Sequence, residues 1–359
     1  MSQTFPHIVI LGAGLIGLCT ADHLLAKGAK VTVIDARSGP CEGTSFSNSG
    51  MIHPSQACSW AKDDAHANFD AAAARVTADL GKRSAVLLKT RMRELGLPDR
   101  PSGCVQIYPS VESARTAQTG FNVIGIHADI LIDPIETFNQ PACAFPDDLS
   151  GNAKDFGCAL AADLTARGVT SLYNTDNFAV RRQEDGIFKI MAGEARLDCD
   201  QLIIAAGIQT PAVLKRLDVR MTLDPVSGVA VNFTLPHDKI DLPSRPVMDA
   251  ASRTALTVFD NHVRISGGWN VSDPKSILAR WQEISPELMA RLGAPLSTWH
   301  AQRPVSPVGR PYISSTSIPG LWVNTGHGHM GWTLCAGSGE LLANMIVDGV
   351  SDKRFTFAG

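Results

Sequence analysis

His7-Ile-Val-Ile-Leu11, Gly12-Ala-Gly14-Leu-Ile-Gly17, Leu18-Cys-Thr-Ala-Asp-His-Leu-Leu-Ala-Lys27 and Gly28-Ala-Lys-Val-Thr-Val-Ile-Asp35 follow one another without a break, and their reading decides the fold. The first piece is short, apolar and β-branched, as a buried parallel strand is. The glycines stand at the G-x-G-x-x-G spacing. Gly12 permits a tight turn, Gly14 lets backbone amides approach a pyrophosphate, and Gly17 lets the next helix lie close on the strand. That helix buries Leu15, Leu18 and Leu25, and Gly28 stops it. A second strand, Lys30–Ile34, ends in Asp35, an acid placed to accept hydrogen bonds from a ribose diol. Glycine-rich turns are common, so the spacing alone says little. Its setting between strand and helix, with an acid ending the next strand, makes this a dinucleotide site, with the phosphates at the helix N-terminus beside Leu15 and Ile16. The motif does not choose between FAD and NAD.

The chain has 359 residues, enough for about two domains. It is 44% hydrophobic and 19% charged, an ordinary globular balance. A net charge of −3 gives no reason to expect a nucleic-acid partner. The eight cysteines are scattered without C-x-x-C or metal-ligand spacing, so no metal is expected and they read as thiols of a reducing compartment. The first apolar run is a strand followed by glycines, not a cleavable leader. No run reaches the length of a membrane span. The expected place is the cytoplasm, with peripheral contact at the inner face of the membrane still compatible.

After Asp35 come Ala36 and Arg37, then a loop ending Thr44-Ser45-Phe-Ser-Asn48-Ser-Gly50-Met51. Its small and polar residues suit either a solvated surface or a second cradle for a long cofactor, and its position just past the ribose acid favours the cradle. This loop resembles the one after the second strand in the D-amino-acid dehydrogenases, flavoproteins of the D-amino-acid oxidase and glycine oxidase superfamily. The resemblance implies FAD at Gly12, Gly14, Gly17 and Asp35, with residues 44–51 running beside the pyrophosphate and the isoalloxazine ring.

Further along, residues 69–80 and 84–95 read as two helices, the second ended by Gly96. Residues 103–108 alternate as a strand. Residues 110–155, rich in Pro, Asp and Asn, read as irregular. Residues 156–167 form an amphipathic helix, and 169–173, 178–182 and 187–191 are strands. Leu202-Ile-Ile-Ala-Ala206-Gly207 is a buried strand reaching a turn, which the resemblance puts beside the cofactor. Strands at 222–233, 255–259 and 263–266 suit an antiparallel sheet. Residues 276–292 are helical, and a last helix covers 340–347.

Leu321-Trp-Val-Asn-Thr-Gly-His327-Gly328-His329-Met330-Gly331-Trp332-Thr333 carries a Gly-His-Gly-x-x-Gly-Trp-Thr pattern that opens a helix. It is similar to the same dehydrogenases, so the resemblance runs from His7 to Val347. It implies that Gly328, Met330, Gly331, Trp332 and Thr333 border the flavin. A helix N-terminus there stabilises the negative charge of a reduced ring. Arg303, in the Arg-Pro segment, matches the arginine that holds the substrate carboxylate in related oxidases. A guanidinium suits a bidentate carboxylate contact. Arg310 reads as structural, with a second acidic substrate group as its alternative use. His329 and His53 are candidates to face the substrate; a lone histidine is usually structural, but two near a flavin carry more weight. The chain departs from the family pattern at Val308, Arg310 and His329 and is shorter than typical members in its substrate half, so the resemblance implies less about substrate than about cofactor.

The expected fold is α/β, α+β overall: a Rossmann-like FAD-binding domain from residues 1–80, 151–210 and 300–359, with a substrate domain from 81–150 and 211–299 on a mostly antiparallel sheet. The expected activity is FAD-dependent oxidation of a small amino acid, foremost a D-amino acid, to the imino and 2-oxo acid by hydride transfer to flavin N5. The first alternative is a secondary-amine oxidase or dehydrogenase for glycine, sarcosine, cyclic imino acids or opines. The second is a flavin-carrying subunit of a larger dehydrogenase. The implied acceptor is a quinone or another carrier rather than oxygen. A homo-oligomer or a partner subunit fits either reading.

Overall fold

A computed structural model describes residues 6–58, 70–133, 138–176, 178–237, 242–350 and 352–357. At its centre is a six-stranded sheet in the order Tyr312–Ser315, Leu321–Thr325, Gln201–Ile204, His7–Leu11, Lys30–Ile34 and Thr170–Leu172. All neighbours are parallel except the first pair. Three distant stretches of chain therefore meet in one sheet, with His7–Leu11 in the middle. Central position explains composition: Ile8, Val9 and Ile10 are wholly buried, so both faces must be apolar.

The helix Leu15–Ala26 crosses back over this sheet. Gly12 has φ +119°, and a Cβ there would stand 2.3 Å from the Ala205 carbonyl oxygen, so only glycine makes this turn. A Cβ on Gly17 would stand 1.8 Å from the Gly12 carbonyl oxygen. Gly17→Ala must therefore push helix and turn apart. Its expected cost is about 3 kcal/mol or more, read as a lowered urea midpoint of the apoprotein; an unchanged midpoint would show that this crossing is not tight. The same close packing recurs where the helix Gly331–Val347 lies against Leu15–Ala26. There a Cβ on Gly339 would sit 2.8 Å from the Cys19 carbonyl.

The other face of the parallel sheet is covered by an antiparallel meander of Phe178–Arg182, Phe188–Ala192 and Ala195–Cys199. A second large sheet has eight strands: Pro295–Val305, Asp224–Thr234, His262–Gly267, Thr254–Val258, Val247–Asp249, Cys104–Ile107, Ala142–Phe145 and Asp129–Leu131. Its pairs are antiparallel apart from Val247–Asp249 against Cys104–Ile107. Helices Pro274–Ile284 and Pro286–Leu292 close its core through the buried Ile277, Trp281, Leu288 and Leu292. A Rossmann-like parallel sheet joined to a mostly antiparallel one is the α/β architecture expected from the sequence.

Several local expectations change. The two helices at 69–80 and 84–95 are one helix, Ala71–Glu94, capped by Asp70, whose carboxylate accepts from the Ala72 and Ala73 amides; Phe69 and the residues back to 59 lie outside the described ones. Residues 110–155 are not irregular. They hold the helix Val111–Val123, started by a Ser110–Ser113 capping box, and three short strands. Of that helix only Ala114 and Phe121 are buried, too few for a periodic apolar signal. The helix at 276–292 breaks at Ser285, because Pro286 has no N–H to continue the ladder. The helix opened by Gly331 and the last helix at 340–347 are one helix, Gly331–Val347, whose first turns bury Trp332, Thr333 and Leu334. The chain at 295–305, left unassigned from the sequence, is an edge strand of the eight-stranded sheet, mostly exposed at first and therefore not patterned as a half-buried strand is.

Among the described residues no helix is long and apolar enough to cross a membrane, and no three metal-ligating side chains converge. The eight cysteines are all free thiols.

Candidate active site

A cleft of about 710 Å³ lies where the carboxyl ends of the parallel strands face the second sheet. At one end its wall is the first βαβ unit. Gly12, Gly14, Leu15 and Ile16 come from the glycine turn, and Asp35, Ala36 and Arg37 from the end of the second strand. Gly14 caps the helix without a side chain, and no acid occupies the first turn. Of the first amides, Leu15 N–H is held by Ser45 Oγ at 3.3 Å. The uncapped dipole end is suited to an anion. Asp35 accepts the Ala13 amide at 2.7 Å and the Arg37 amide at 2.8 Å, tying the glycine turn to the second strand. A carboxylate has about four lone-pair sites, so capacity for a diol remains.

Thr44, Ser45, Asn48 and Met51 form the next part of the wall, followed by Ala206 and Gly207 at the end of Gln201–Ile204. The loop is fastened to the second sheet at three places. Thr44 Oγ1 donates to Gln302 O at 2.9 Å, Arg264 Nη1 to Asn48 O at 3.0 Å, and Thr257 Oγ1 to Ser49 O at 2.6 Å. Phe46 also packs on Trp299, ring centroids 4.4 Å apart.

At the other end stand Arg303, His53, Gly328, His329, Gly331 and Trp332. Arg303 leaves the strand Pro295–Val305 and lies over Gly228; a Cβ there would come within 2.4 Å of its Nη2. Nη1 donates to Gly268 O at 2.8 Å. Among the described residues no carboxylate lies within ion-pair distance of Arg303. Burial brings its pKa down to about 10, which leaves it charged at neutral pH. The His53 amide donates to Thr333 Oγ1 at 2.9 Å, and the ring lies 6.3 Å from that of His329. His329 Nε2 bonds Gln56 O at 2.8 Å, which requires the proton on Nε2. Burial holds these imidazoles and that of His327 neutral: His53 falls to about 4, His327 to about 3, and His329 goes well below the usual range, first through burial.

Eight buried side-chain polar atoms have no partner among the described residues. Seven belong to cleft residues: Ser47 Oγ, His53 Nδ1, Ser266 Oγ, Trp299 Nε1, Asn324 Oδ1, His327 Nε2 and Trp332 Nε1. Native interiors pair nearly all such atoms. Their concentration on one surface fits a polar group laid along the cleft. An extended cleft with an anion cradle at one end and orphaned donors and acceptors along its length fits FAD.

Four of the expected cofactor residues stand behind this wall. Gly17 packs on the Gly12 carbonyl, and Gly50 adopts φ +75° against the Phe259 ring. Met330 borders a smaller hollow behind His327 and His329, and Thr333 is wholly buried, holding the His53 amide. Arg310 also borders that hollow and not the cleft, and its carbonyl accepts from Ser306 Oγ. It is not placed to hold a substrate group in the cleft. The structure adds residues that sequence reasoning passed over: Gly228, Arg253, Ser266, Trp299 and Asn324. Gly228 and Ser266 lie in the stretches 224–228 and 259–268, which resemble the family's cavity-wall strands, Trp299 lies just before the Arg-Pro pair and Asn324 lies in the 321–333 stretch; only Arg253 carried no signal.

The buried histidines set a pH dependence of stability. Each takes up a proton near pH 6.5 when unfolded but resists it when folded, so stability falls as pH drops from 6.5 toward 4. Buried Asp148, raised to about 7, acts oppositely: folded, it keeps a proton that the unfolded chain loses near 3.8, so its contribution is lost as pH rises through that window. Three histidines outweigh one carboxyl. The unfolding free energy is expected to fall from pH 7 to pH 4.5 by a net amount on the order of several kcal/mol, read as a lowered urea midpoint. A midpoint that rises on acidification would contradict neutral burial.

The family profile described as DAO, FAD dependent oxidoreductase, matches residues 7–345. A D-amino acid dehydrogenase of Vibrio atlanticus (strain LGP32) is 25% identical over 97% of each chain. A crystal structure of glycine oxidase from Geobacillus kaustophilus superposes with a TM-score of 0.81 at 19% identity, covering 98% of this chain and 97% of that one. L-proline dehydrogenase from P. horikoshii superposes at 0.80 and 18% identity, covering 97% and 94%.

Proposed function

The chain belongs to the DAO family of FAD-dependent oxidoreductases, and from that premise we propose that it oxidises a small amino acid, foremost a D-amino acid, in the cleft between its two large sheets. The observation that carries this is Arg303: a charged guanidinium in the cleft wall, with no carboxylate partner among the described residues and room made for it by Gly228. A D-amino acid dehydrogenase among the relatives supports the substrate class.

The glycine turn, Asp35 and the 44–51 loop hold the nucleotide part of FAD. Gly328, Gly331 and Trp332, which line the cleft, would border its ring, and the N-terminal amides of Gly331–Val347 would favour negative charge there. When bound, FAD would supply the two-electron oxidising capacity that amine oxidation needs. Arg303 binds the substrate carboxylate through its fork of N–H donors and fixes the α-carbon. His53 and His329 stay neutral and add no like charge against the amine. His53 Nδ1, unpartnered within the described structure, is placed to exchange a hydrogen bond with it. Beside Arg303 an amine binds better neutral than as ammonium, so its proton passes to solvent water before oxidation. The imino acid then takes up water and yields a 2-oxo acid and ammonia.

The electrons pass on to an acceptor. A quinone or another carrier, rather than oxygen, is the acceptor that the relative's dehydrogenase name supports. The eight free thiols support a cytoplasmic setting.

Steady-state oxidation with a dye acceptor tests the proposal. One 2-oxo acid and one ammonia are expected per substrate consumed, with D-amino acids ahead of their L-enantiomers. Turnover of secondary amines alone, with no ammonia from D-alanine, would replace this substrate class by the secondary-amine one.

A further inference from the structure

The loop at 44–51 rests on a charge. Arg264 stands on the strand His262–Gly267 between Val263 and Ile265, which point into the core beneath the sheet. Its own side chain takes the opposite face, the one from which Ser266 lines the cleft. Register sets Asn232 and Thr257 beside it on the two neighbouring strands. An arginine on a sheet face is ordinarily solvated, yet Arg264 is only 6% exposed, because the loop lies on it. Nε donates to Asn232 Oδ1 at 2.7 Å, Nη1 to Asn48 O at 3.0 Å and Nη2 to His262 Nε2 at 3.1 Å. The guanidinium lies 4.8 Å from the Phe259 ring centroid, and Phe259 in turn fits against Gly50. All these partners are neutral: burial, followed by the Arg264 and Arg100 charges, brings His262 down to about 4. Among the described residues no carboxylate lies within ion-pair distance of Arg264; Asp155 acts on it from beyond that distance. An unpaired buried charge is costly to keep. A neutral donor would clamp the loop as well, as Thr257 does, so the charge itself calls for a use.

The clamp fixes which way the loop's peptides face. Arg264 holds Asn48 O, and Thr257 Oγ1 holds Ser49 O at 2.6 Å, so both carbonyls turn toward the second sheet. The peptide is planar and trans, so the Ser49 N–H points opposite to the Asn48 carbonyl, away from Arg264. Ser49 is part of the cleft wall, as are Ser45 toward the glycine turn and His53 toward Arg303. The next two amides are satisfied inside the loop: Gly50 N–H by Asn48 Oδ1 at 2.9 Å, and Met51 N–H by Ser49 Oγ at 3.3 Å. The Ser49 N–H takes no partner among the described residues. Ser47 Oγ, buried and likewise unpartnered there, belongs to the same stretch of wall.

Resting on the FAD assignment and not on the identity of the substrate, we propose that Arg264 is a positioning residue: through the Asn48 carbonyl it holds the Ser49 amide as a donor to bound FAD, and its charge favours the reduced flavin. A guanidinium on the carbonyl side of a peptide polarises that peptide and strengthens the N–H on its other side. Reduction adds negative charge to the flavin, and a donor fixed beforehand stabilises that charge without reorganising. A buried cation acts in the same direction, because little water screens it.

The test is the reduction potential of the flavin-loaded protein, measured against a reference dye during slow chemical reduction, which needs no amino acid. In Arg264→Gln the two-electron potential is expected to fall by at least about 30 mV, a tenfold change in the ratio of reduced to oxidised flavin. FAD should also bind the Arg264→Gln apoprotein at least tenfold more weakly. Arg264→Lys, which keeps the charge but offers no fork of donors, should fall between parent and Arg264→Gln. Thr257→Val, which frees the Ser49 carbonyl and leaves the charge, should lower the potential by less than Arg264→Gln does. The urea midpoint of each apoprotein reads any purely structural role. A parent potential in flavin-loaded Arg264→Gln overturns the proposal and leaves amino-acid oxidation in place, as does an Arg264→Lys variant no better than Arg264→Gln. Where Arg264→Gln does not fold, a lowered potential in Arg264→Lys or Thr257→Val upholds the proposal, and parent potentials in both overturn it. The expected order of potentials in an enzyme that no amino acid reduces would uphold Arg264 and remove the amine-oxidation reading instead. A protein that takes up no FAD removes the proposal together with the cofactor site.

Discussion

Gly14→Val is expected to give a folded protein without colour. Gly14 sits at φ −73° and ψ 176°, extended backbone that valine adopts readily. The substitution therefore does not strain the turn as a side chain at Gly12 would. Its Cβ would lie 3.3 Å from Ser45 Oγ, and its methyl groups would stand over the free amides of the Leu15–Ala26 helix. The proposed cofactor site puts the pyrophosphate there. Steric exclusion together with loss of the anion cradle should weaken FAD binding by at least about a thousandfold, about 4 kcal/mol. The ratio of flavin to protein absorbance reports the loss, and circular dichroism reports the fold. A yellow variant with stoichiometric flavin would remove the glycine turn from the cofactor site.

Arg303→Ala should keep its flavin and lose its substrate. Removing one partner of a buried charge pair costs about 2–5 kcal/mol, or roughly thirtyfold to several thousandfold in kcat/KM. Most of that should appear in KM, because the carboxylate contact exists before the α-carbon reacts. The Gly268 carbonyl also loses its donor, so a modest fall in thermal midpoint is expected alongside. Arg303→Lys, a point charge without the planar fork, should recover part of the loss. Unchanged kinetics in a folded Arg303→Ala would exclude it as the anchor.

The two ends of the cleft differ in how far they could be read from the chain. The glycine turn, Asp35 and the 44–51 loop are consecutive in sequence, and each owes its role to local backbone geometry, so residue type and spacing display it. The substrate end is assembled from a strand at 295–305, a turn at 250–253, Gly228 within the strand Asp224–Thr234 and a helix start at Gly331. These meet only through the register of the antiparallel sheet, which places Val226 opposite Arg303 and Thr254 opposite Gly267. Arg253 is one arginine in a polar turn, and nothing in its neighbours marks it. Arg310, near Arg303 in sequence, faces the smaller hollow instead. The missed helix at 111–123 and the edge strand at 295–305 share another cause: both bury little of their length, and periodicity records burial.

The visible spectrum of the purified protein, followed by anaerobic addition of D-alanine, D-aspartate, D-proline and sarcosine in turn, tests the amino-acid oxidation in this cleft most directly. A flavin spectrum that bleaches on adding a D-amino acid is the expected result. A flavin that none of the four reduces would contradict amino-acid oxidation here, and a colourless protein that FAD cannot reconstitute would contradict the cofactor site as well.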